Sequence, residues 1–376
     1  MKRRRVCFVL PSLNGGGAER AAVAIINGMD AAAWDRSMYL FKREGAYLND
    51  LSPAVHLSSG RSFAGAAKVA RLRRYFNDTQ PDVVVAFLSY VSVLVAARTS
   101  TAHARVVFNQ QTPVSSFLDD RDYAWARFWH RQVFTAASRV AYGRADLVIA
   151  TSTGVADDVH EYLAVSASRV RIVPNPVDLP RIAAAAAEAM DDADRDAWVR
   201  PAIVAAGRLA EAKNIPLLVD AVALLPPDLD AHLFVLGEGD HAASIHAAIA
   251  RHGLGDRVRL CGFRRNPWRY FANADLFALT SRYEGFGNVL VEAMACGVPV
   301  VATGSPGTRD IVQDGANGLL VEAHTPAAVA AALERVLRDA DLRSRLADGA
   351  RRSAERYALP AIVGQYEALF EELTAA

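Results

Sequence analysis

Two carboxylates, Glu284 and Glu292, stand with seven residues between them in SRYEGFGNVLVEAMACGVPVVATGS (281–305). Residues eight apart on one helix differ by about 80° around its axis. The pair therefore reads as Glu284 in a loop and Glu292 inside the helix that follows it. Gly285 and Gly287 let the loop backbone approach a ligand closely. The run NVLVEAMA favours helix, and CGVPVVATG reads as helix stop, turn and buried strand. Carboxylates placed this way can accept hydrogen bonds from two separate hydroxyls of one polyhydroxylated ligand. They are less suited to sharing a proton. The competing reading is a capping acid and a solvated helix residue.

A second set of groups suits phosphate. PAIVAAG runs into RLAEAKN, which puts Arg208 and Lys213 just beyond a strand end and near the start of the helix IPLLVDAVALL. Two cations beside helix N–H groups can hold a diphosphate, with Arg208 able to bind two oxygens at once. Ordinary surface charge is the alternative. Near the start of the chain, Gly15, Gly16 and Gly17 form a loop between an apolar run and a helical segment, a phosphate approach or a plain tight turn. They do not complete the dinucleotide fingerprint, so a nicotinamide cofactor is disfavoured. CGFRRN, after another strand, offers backbone groups of Gly262, Phe263 and Arg264 to a base. Together these groups describe an anionic ligand with hydroxyls, a sugar nucleotide.

The elements that must position them alternate between short apolar runs and helical stretches. VCFVL (6–10), RSMYLF (36–41), DVVVAFL (82–88), ARVVFN (104–109), DLVIATS (146–152) and VRIVPN (170–175) make a first series. A second comprises 201–209, 231–239, 256–263, 274–281, 298–304 and 317–321, with helix from Thr325 onward. Continuous apolar runs between helices predict parallel strands covered on both faces. The expected class is α/β, two Rossmann-like doubly wound domains facing a central cleft, 1–178 and 179–359, with 360–376 crossing back to the first. Pro174, Pro176 and Pro180 mark the hinge.

Composition narrows the class. The 376 residues are 52% hydrophobic and 22% charged, with a net charge of +1, which fits a globular protein and gives no reason to invoke nucleic acid. Cys7, Cys261 and Cys296 lie far apart without a CxxC pair, against a disulfide framework or a zinc site and for a reducing compartment. The five apolar residues after MKRRR are too few for a signal sequence, and no run approaches the ~18 residues of a spanning helix. The expected location is cytoplasmic.

AGRLAEAKN, LGEGD, VRLCGF, SRYEGFGNVLVEAMACGVPVVAT and DGANGLLV, in this order and spacing, resemble the C-terminal half of retaining nucleotide-sugar glycosyltransferases of the GT-B fold, the family-four group. PSLNGGGAERAAVAIINGM, STGVADDV and VPNPVD resemble its N-terminal half, so the likeness covers nearly the whole chain. The resemblance implies that Glu292 holds ribose hydroxyls and that Glu284 contacts the donor sugar. The backbone of Gly285, Phe286, Gly287, Asn288 and Val289 would lie near that sugar and its phosphate. Arg208 and Lys213 would stabilise the departing diphosphate, with no metal and no other cofactor. Retention without an enzymic nucleophile implies front-face attack. Many relatives carry a histidine at the end of a first-domain strand where this chain has Asn109, Gln110 and Gln111. These amides could bond a sugar hydroxyl but cannot act as a titrating base, and His103 and His130 have no evident role.

The expected partners are a nucleotide-sugar donor, with a UDP-sugar favoured, and a glycan or lipid-linked glycan acceptor. Lys68, Arg71, Arg73 and Arg74 cluster in 61–76, and Arg121, Arg127 and Arg131 interleave with Tyr123, Trp125, Phe128 and Trp129. Basic and aromatic residues at helical spacing suit an interfacial helix on anionic lipid, or a helix using its aromatics as core. The GGAER form of the first loop resembles members that extend lipid-linked glycans. Rival readings are a nucleotide-sugar 2-epimerase of similar shape and a non-catalytic sugar-nucleotide-binding protein.

Overall fold

The computed structural model describes residues 3–14, 16–60, 66–88, 90–119, 128–190 and 192–375. Gly15, Arg121, Tyr123, Trp125 and Arg127 lie outside them, as do the side chains of Phe128, Trp129, His130 and Arg131. The chain divides into two units, Met1–Pro176 with Leu359–Ala376, and Val177–Ala358.

The first unit is built on seven parallel strands: β1 (Arg4–Leu10), β2 (Trp34–Leu40), β3 (His56–Ser59), β4 (Val83–Phe87), β5 (Arg105–Gln110), β6 (Leu147–Ala150) and β7 (Val170–Ile172). Their order is β3-β2-β1-β4-β5-β6-β7. Every residue of β4 and β6 is buried, as a strand covered on both faces requires. Nothing in the sequence HLSS signals β3. It is a four-residue edge strand, partly exposed along its length, so no apolar run is needed to form it.

The helix Leu359–Ala375 belongs to this unit. Ile362, Val363, Tyr366 and Phe370 recur at helical spacing and are buried in the same core as Phe8, Trp34 and Val85. The rings of Trp34 and Phe370 meet edge to face at 5.9 Å.

The second unit carries six parallel strands: β8 (Ala202–Ala206), β9 (His232–Leu236), β10 (Val258–Gly262), β11 (Leu276–Leu279), β12 (Val300–Thr303) and β13 (Leu319–Val321). They are ordered β10-β9-β8-β11-β12-β13. The two-residue period of a strand divides β8 between two cores. Ile203 and Ala205 pack with the helix Ile215–Ala223 on one face, and Ala202, Val204 and Ala206 pack with Tyr270, Leu290 and Met294 on the other.

Strand order reverses direction at one place in each unit, between β1 and β4 and between β8 and β11. Chains leaving such neighbours diverge to opposite faces and open a crevice at the carboxyl ends of the strands. In the second unit β8 and β11 are directly paired through Leu276–Ile203 and Phe277–Val204. Arg208 and Lys213 follow β8, while Glu284 follows β11.

Candidate active site in the second unit

The loop after β8 is held against β9 by its backbone. Gly207 donates to the carbonyl of Leu236 at 3.0 Å, and Leu209 donates to that of Glu238 at 2.9 Å. The strands approach so closely that a Cβ on Gly237, at φ +136°, would stand 1.9 Å from the Gly207 carbonyl oxygen. A single-turn helix, Glu211–Lys213, then ends at Asn214 in the left-handed region. Arg208 is exposed at the start of this loop, and the Lys213 side chain retains only 20% of its exposure.

The β11 loop is stitched to it. Arg282 N–H donates to the Ala212 carbonyl at 2.7 Å, and the Thr280 hydroxyl donates to the Asn214 carbonyl at 3.2 Å. The Lys213 ammonium is thereby brought onto Glu284, with which it forms a hydrogen-bonded ion pair through Oε1. The Ser281 hydroxyl donates to the same oxygen at 2.6 Å. Ser281 and Glu284 are both buried. Behind them, Gly307 N–H donates to the Glu284 carbonyl at 3.0 Å, and a Cβ on Gly307 would lie 2.7 Å from the Phe286 backbone.

Gly287, at φ +97°, turns this loop into the helix Asn288–Ala295, and as a glycine it has no side chain with which to cap that terminus. Gly285, Gly287, Asn288 and Val289 surround this helix N-terminus, whose dipole favours negative charge. Phe286 contributes only its backbone there, because its ring packs edge to face on Tyr357 at 5.2 Å. Glu292, in the second turn of the helix, is buried and accepts a hydrogen bond from the Trp268 indole at 2.9 Å.

The segment after β10 lies by a surface groove lined by Phe263, Arg264, Arg265, Trp268 and Arg181. Gly262 is at φ +71°, and the Phe263 side chain is exposed. The Arg264 guanidinium is not a loose cation, since it pairs with Asp194 at 2.9 Å and donates to Tyr270 at 2.9 Å. Burial works against the charge on Asp194, but the hydrogen bonds from Tyr270 and Arg264 outweigh it and hold its carboxyl below the ordinary value. What Arg264 offers a ligand is therefore its backbone and one guanidinium face.

In the first unit, Gly16 and Gly17 lie at the start of the helix Gly17–Gly28, with Gly16 as its extended N-cap. The amides that end β5 are hydrogen-bonded within the first unit. Asn109 donates to the Tyr366 hydroxyl at 2.5 Å, Gln110 donates to the Thr112 carbonyl at 2.5 Å and accepts from Tyr142, and Gln111 pairs reciprocally with Asn175 at 2.8 and 3.1 Å. All three are buried, as polar groups at the foot of a parallel sheet are when every donor finds a partner. None of the three thiols is poised as a nucleophile. Burial pushes Cys7 and Cys296 up to about 12 and Cys261 up to about 11.

Ser281 and Trp268 are the side chains that sequence reasoning passes over. Ser281 lies inside the marked stretch, three residues before Glu284. Trp268 lies on a different helix, and nothing in NPWRYF points to Glu292.

This geometry has counterparts among known proteins. Over 217 residues, 57% of each chain, the sequence is 36% identical to an N-acetylgalactosamine-N,N'-diacetylbacillosaminyl-diphospho-undecaprenol 4-alpha-N-acetylgalactosaminyltransferase of Campylobacter jejuni. Over 212 residues it is 32% identical to a lipopolysaccharide core biosynthesis glycosyltransferase, LpsE, of Rhizobium meliloti, covering 56% of this chain and 60% of that one. The chain thus spans somewhat over half the length of the curated relatives it matches. In fold it is similar to Anabaena HepE, solved in complex with UDP and glucose, with a TM-score of 0.81 at 23% identity over 98% of this chain and 100% of that one. The model for Glycosyltransferase Family 4 matches residues 15–181, and that for Glycosyl transferases group 1 matches 197–353. Between them these matches take in every strand but β1 and both site loops, and the chain belongs to the family-four glycosyltransferases.

Proposed function

We propose that this chain is a retaining, metal-independent glycosyltransferase. It moves a hexose or N-acetylhexosamine from a nucleotide-diphosphate sugar, a UDP-sugar before GDP-mannose, to a glycan or lipid-linked glycan of the cell surface. The observation that carries the reading is the meeting of Lys213 and Glu284 at the point where β8 and β11 diverge. A diphosphate set there faces Arg208, Lys213 and the helix N-terminus at Gly287, which together do the charge-neutralising work otherwise given to a metal. Glu284 accepts from donor-sugar hydroxyls and Glu292 from the ribose, while the base rests by Gly262, Phe263 and Arg264.

In the reaction the anomeric C–O bond to the diphosphate breaks, and the bond from the acceptor oxygen forms on the same face of the sugar. The departing phosphate oxygen takes the acceptor's proton, so no side chain needs to titrate. The relatives whose names specify a diphospho-undecaprenol substrate and lipopolysaccharide core synthesis support an acceptor of this class. Asn109, Gln110 and Gln111 keep a scaffolding role.

The test is mass spectrometry of products formed from a panel of UDP-sugars and GDP-mannose with lipid-linked acceptors, with and without EDTA. Transfer with an unchanged anomeric configuration that EDTA does not abolish is the expected result. Epimerised donor without transfer would replace the reading with the 2-epimerase, and loss of activity with EDTA would remove metal independence. A covalent sugar trapped on Glu284 would overturn the front-face route.

A further inference from the structure

The contact between Trp268 and Glu292 is a candidate for more than packing. Trp268 opens the helix Trp268–Asn273, and Glu292 lies 24 residues later on Asn288–Ala295. Both side chains are buried, at 7% and 5% exposure, and the indole Nε1 stands 2.9 Å from Glu292 Oε2. The indole is itself fixed. The Arg181 guanidinium lies 5.8 Å from its ring centroid, and the ring belongs to the core formed by Tyr270, Val291 and Met294.

An indole N–H can only donate and a carboxylate can only accept, so the contact has one polarity and no alternative arrangement by proton rotation. A glutamate has three rotatable bonds and loses considerable freedom when ordered. Holding the carboxylate through one oxygen in advance restricts its orientation and lowers that cost in ligand binding. The rigid aromatic plate, under its arginine, is well suited to this task.

We propose that Trp268 is a positioning residue for the nucleotide. It fixes the Glu292 carboxylate in the orientation that accepts the ribose 2′ and 3′ hydroxyls, and so it sets affinity for the ribose part of the donor without touching it. The inference rests on the reading of Glu292 as the ribose acceptor given above.

The experiment is calorimetric binding of UDP or GDP, whichever the unaltered protein binds, compared with its 2′,3′-dideoxy form. Trp268→Phe keeps an aromatic ring and removes the N–H. Trp268→Phe is expected to weaken the natural nucleotide about tenfold and the dideoxy form less than about twofold. Glu292→Ala should give the same pattern, and the double variant should be no worse than Glu292→Ala alone.

Equal weakening of both ligands by Trp268→Phe, or no weakening of either, overturns the positioning role. If Glu292→Ala itself fails to distinguish the two ligands, or if neither UDP nor GDP binds, the ribose reading fails instead, so the two failures are separable. Should Trp268→Phe not fold, the indole ¹⁵N–¹H signal displaced by Glu292→Ala replaces it as the readout in the unaltered protein. The proposal requires that signal to move more with the natural nucleotide than with the dideoxy form, and equal movement overturns it.

Discussion

Lys213 and Glu284, 71 residues apart in sequence, share a hydrogen-bonded ion pair that ties the loop after β8 to the loop after β11. The pair is mostly sheltered from water, so it is screened less than a surface pair. When an anion arrives, the ammonium already lies at the crevice.

Lys213→Ala should lower kcat by about a hundredfold or more while changing donor affinity only a few-fold. Charge on the leaving diphosphate grows in the transition state, and a cation aimed at it is worth most there. Steady-state kinetics together with direct nucleotide-sugar binding separate the two. A parallel loss in kcat and affinity would count against the role. A melting curve controls for the buried Glu284 that the substitution leaves without its ammonium.

The close approach of β9 to the β8 loop predicts a stability contrast between two glycines. Gly237→Ala must place a Cβ 1.9 Å from the Gly207 carbonyl oxygen at a φ of +136°, so the loop carrying Arg208 has to move. A cost of at least ~3 kcal/mol is expected in urea denaturation. Gly253→Ala is the comparison, since its φ of +62° is left-handed but a Cβ there meets nothing within 4 Å. Its cost should stay near ~1 kcal/mol. Equal costs would show that the crowding at Gly207 is relieved.

Asp194 gives a pH-dependent stability. Its folded carboxyl is held below the ordinary value of 3.8, with burial opposing the shift and the bonds from Tyr270 and Arg264 overcoming it. A group depressed on folding stabilises above its unfolded value and loses that contribution as pH falls through its folded value. The advantage of the unaltered protein over Asp194→Asn should therefore be flat above about pH 5 and shrink as pH falls below the unfolded value of about 3.9. Urea midpoints measured at several pH values check this, and an advantage that grew on acidification would be the wrong sign.

Helix Ala66–Thr79 buries Leu72 and Phe76 and exposes Arg71, Arg73 and Arg74, while Lys68 is partly buried with its ammonium over the Phe41 ring at 3.8 Å. Among the described residues no helix is long and apolar enough to cross a membrane. A basic face on a helix whose apolar face is already engaged predicts purely electrostatic adhesion to anionic lipid. Sedimentation with vesicles containing phosphatidylserine should show binding at low salt that is lost in about 0.5 M salt, where the screening length falls to a few ångström. Triple replacement of Arg71, Arg73 and Arg74 by glutamine should abolish it. Binding that persists in high salt would contradict this basis.

Much of the architecture is legible in the chain because parallel strands covered on both faces need continuous apolar runs. VCFVL, DVVVAFL and PAIVAAG announce β1, β4 and β8 for that reason. β3 escapes because an exposed edge imposes no such pattern. The stretch around Glu284 and Glu292 is equally readable, since glycines beside a helix start and acids at fixed spacing are local facts. What lies across the fold is not. Asn109, Gln110 and Gln111 look like free amides in VVFNQQTP, yet Tyr366, Tyr142 and Asn175 occupy them, supplied by segments 32 to 257 residues away. Nothing in CGFRRN shows that the Arg264 guanidinium is held by Asp194 and Tyr270. The sequence by itself determined which residues carry charge and where the backbone could bend. Only the tertiary structure decided which of those groups were already satisfied, because hydrogen-bond partners and burial are set by neighbours in space, and the strand order of a doubly wound sheet brings distant loops to the same edge.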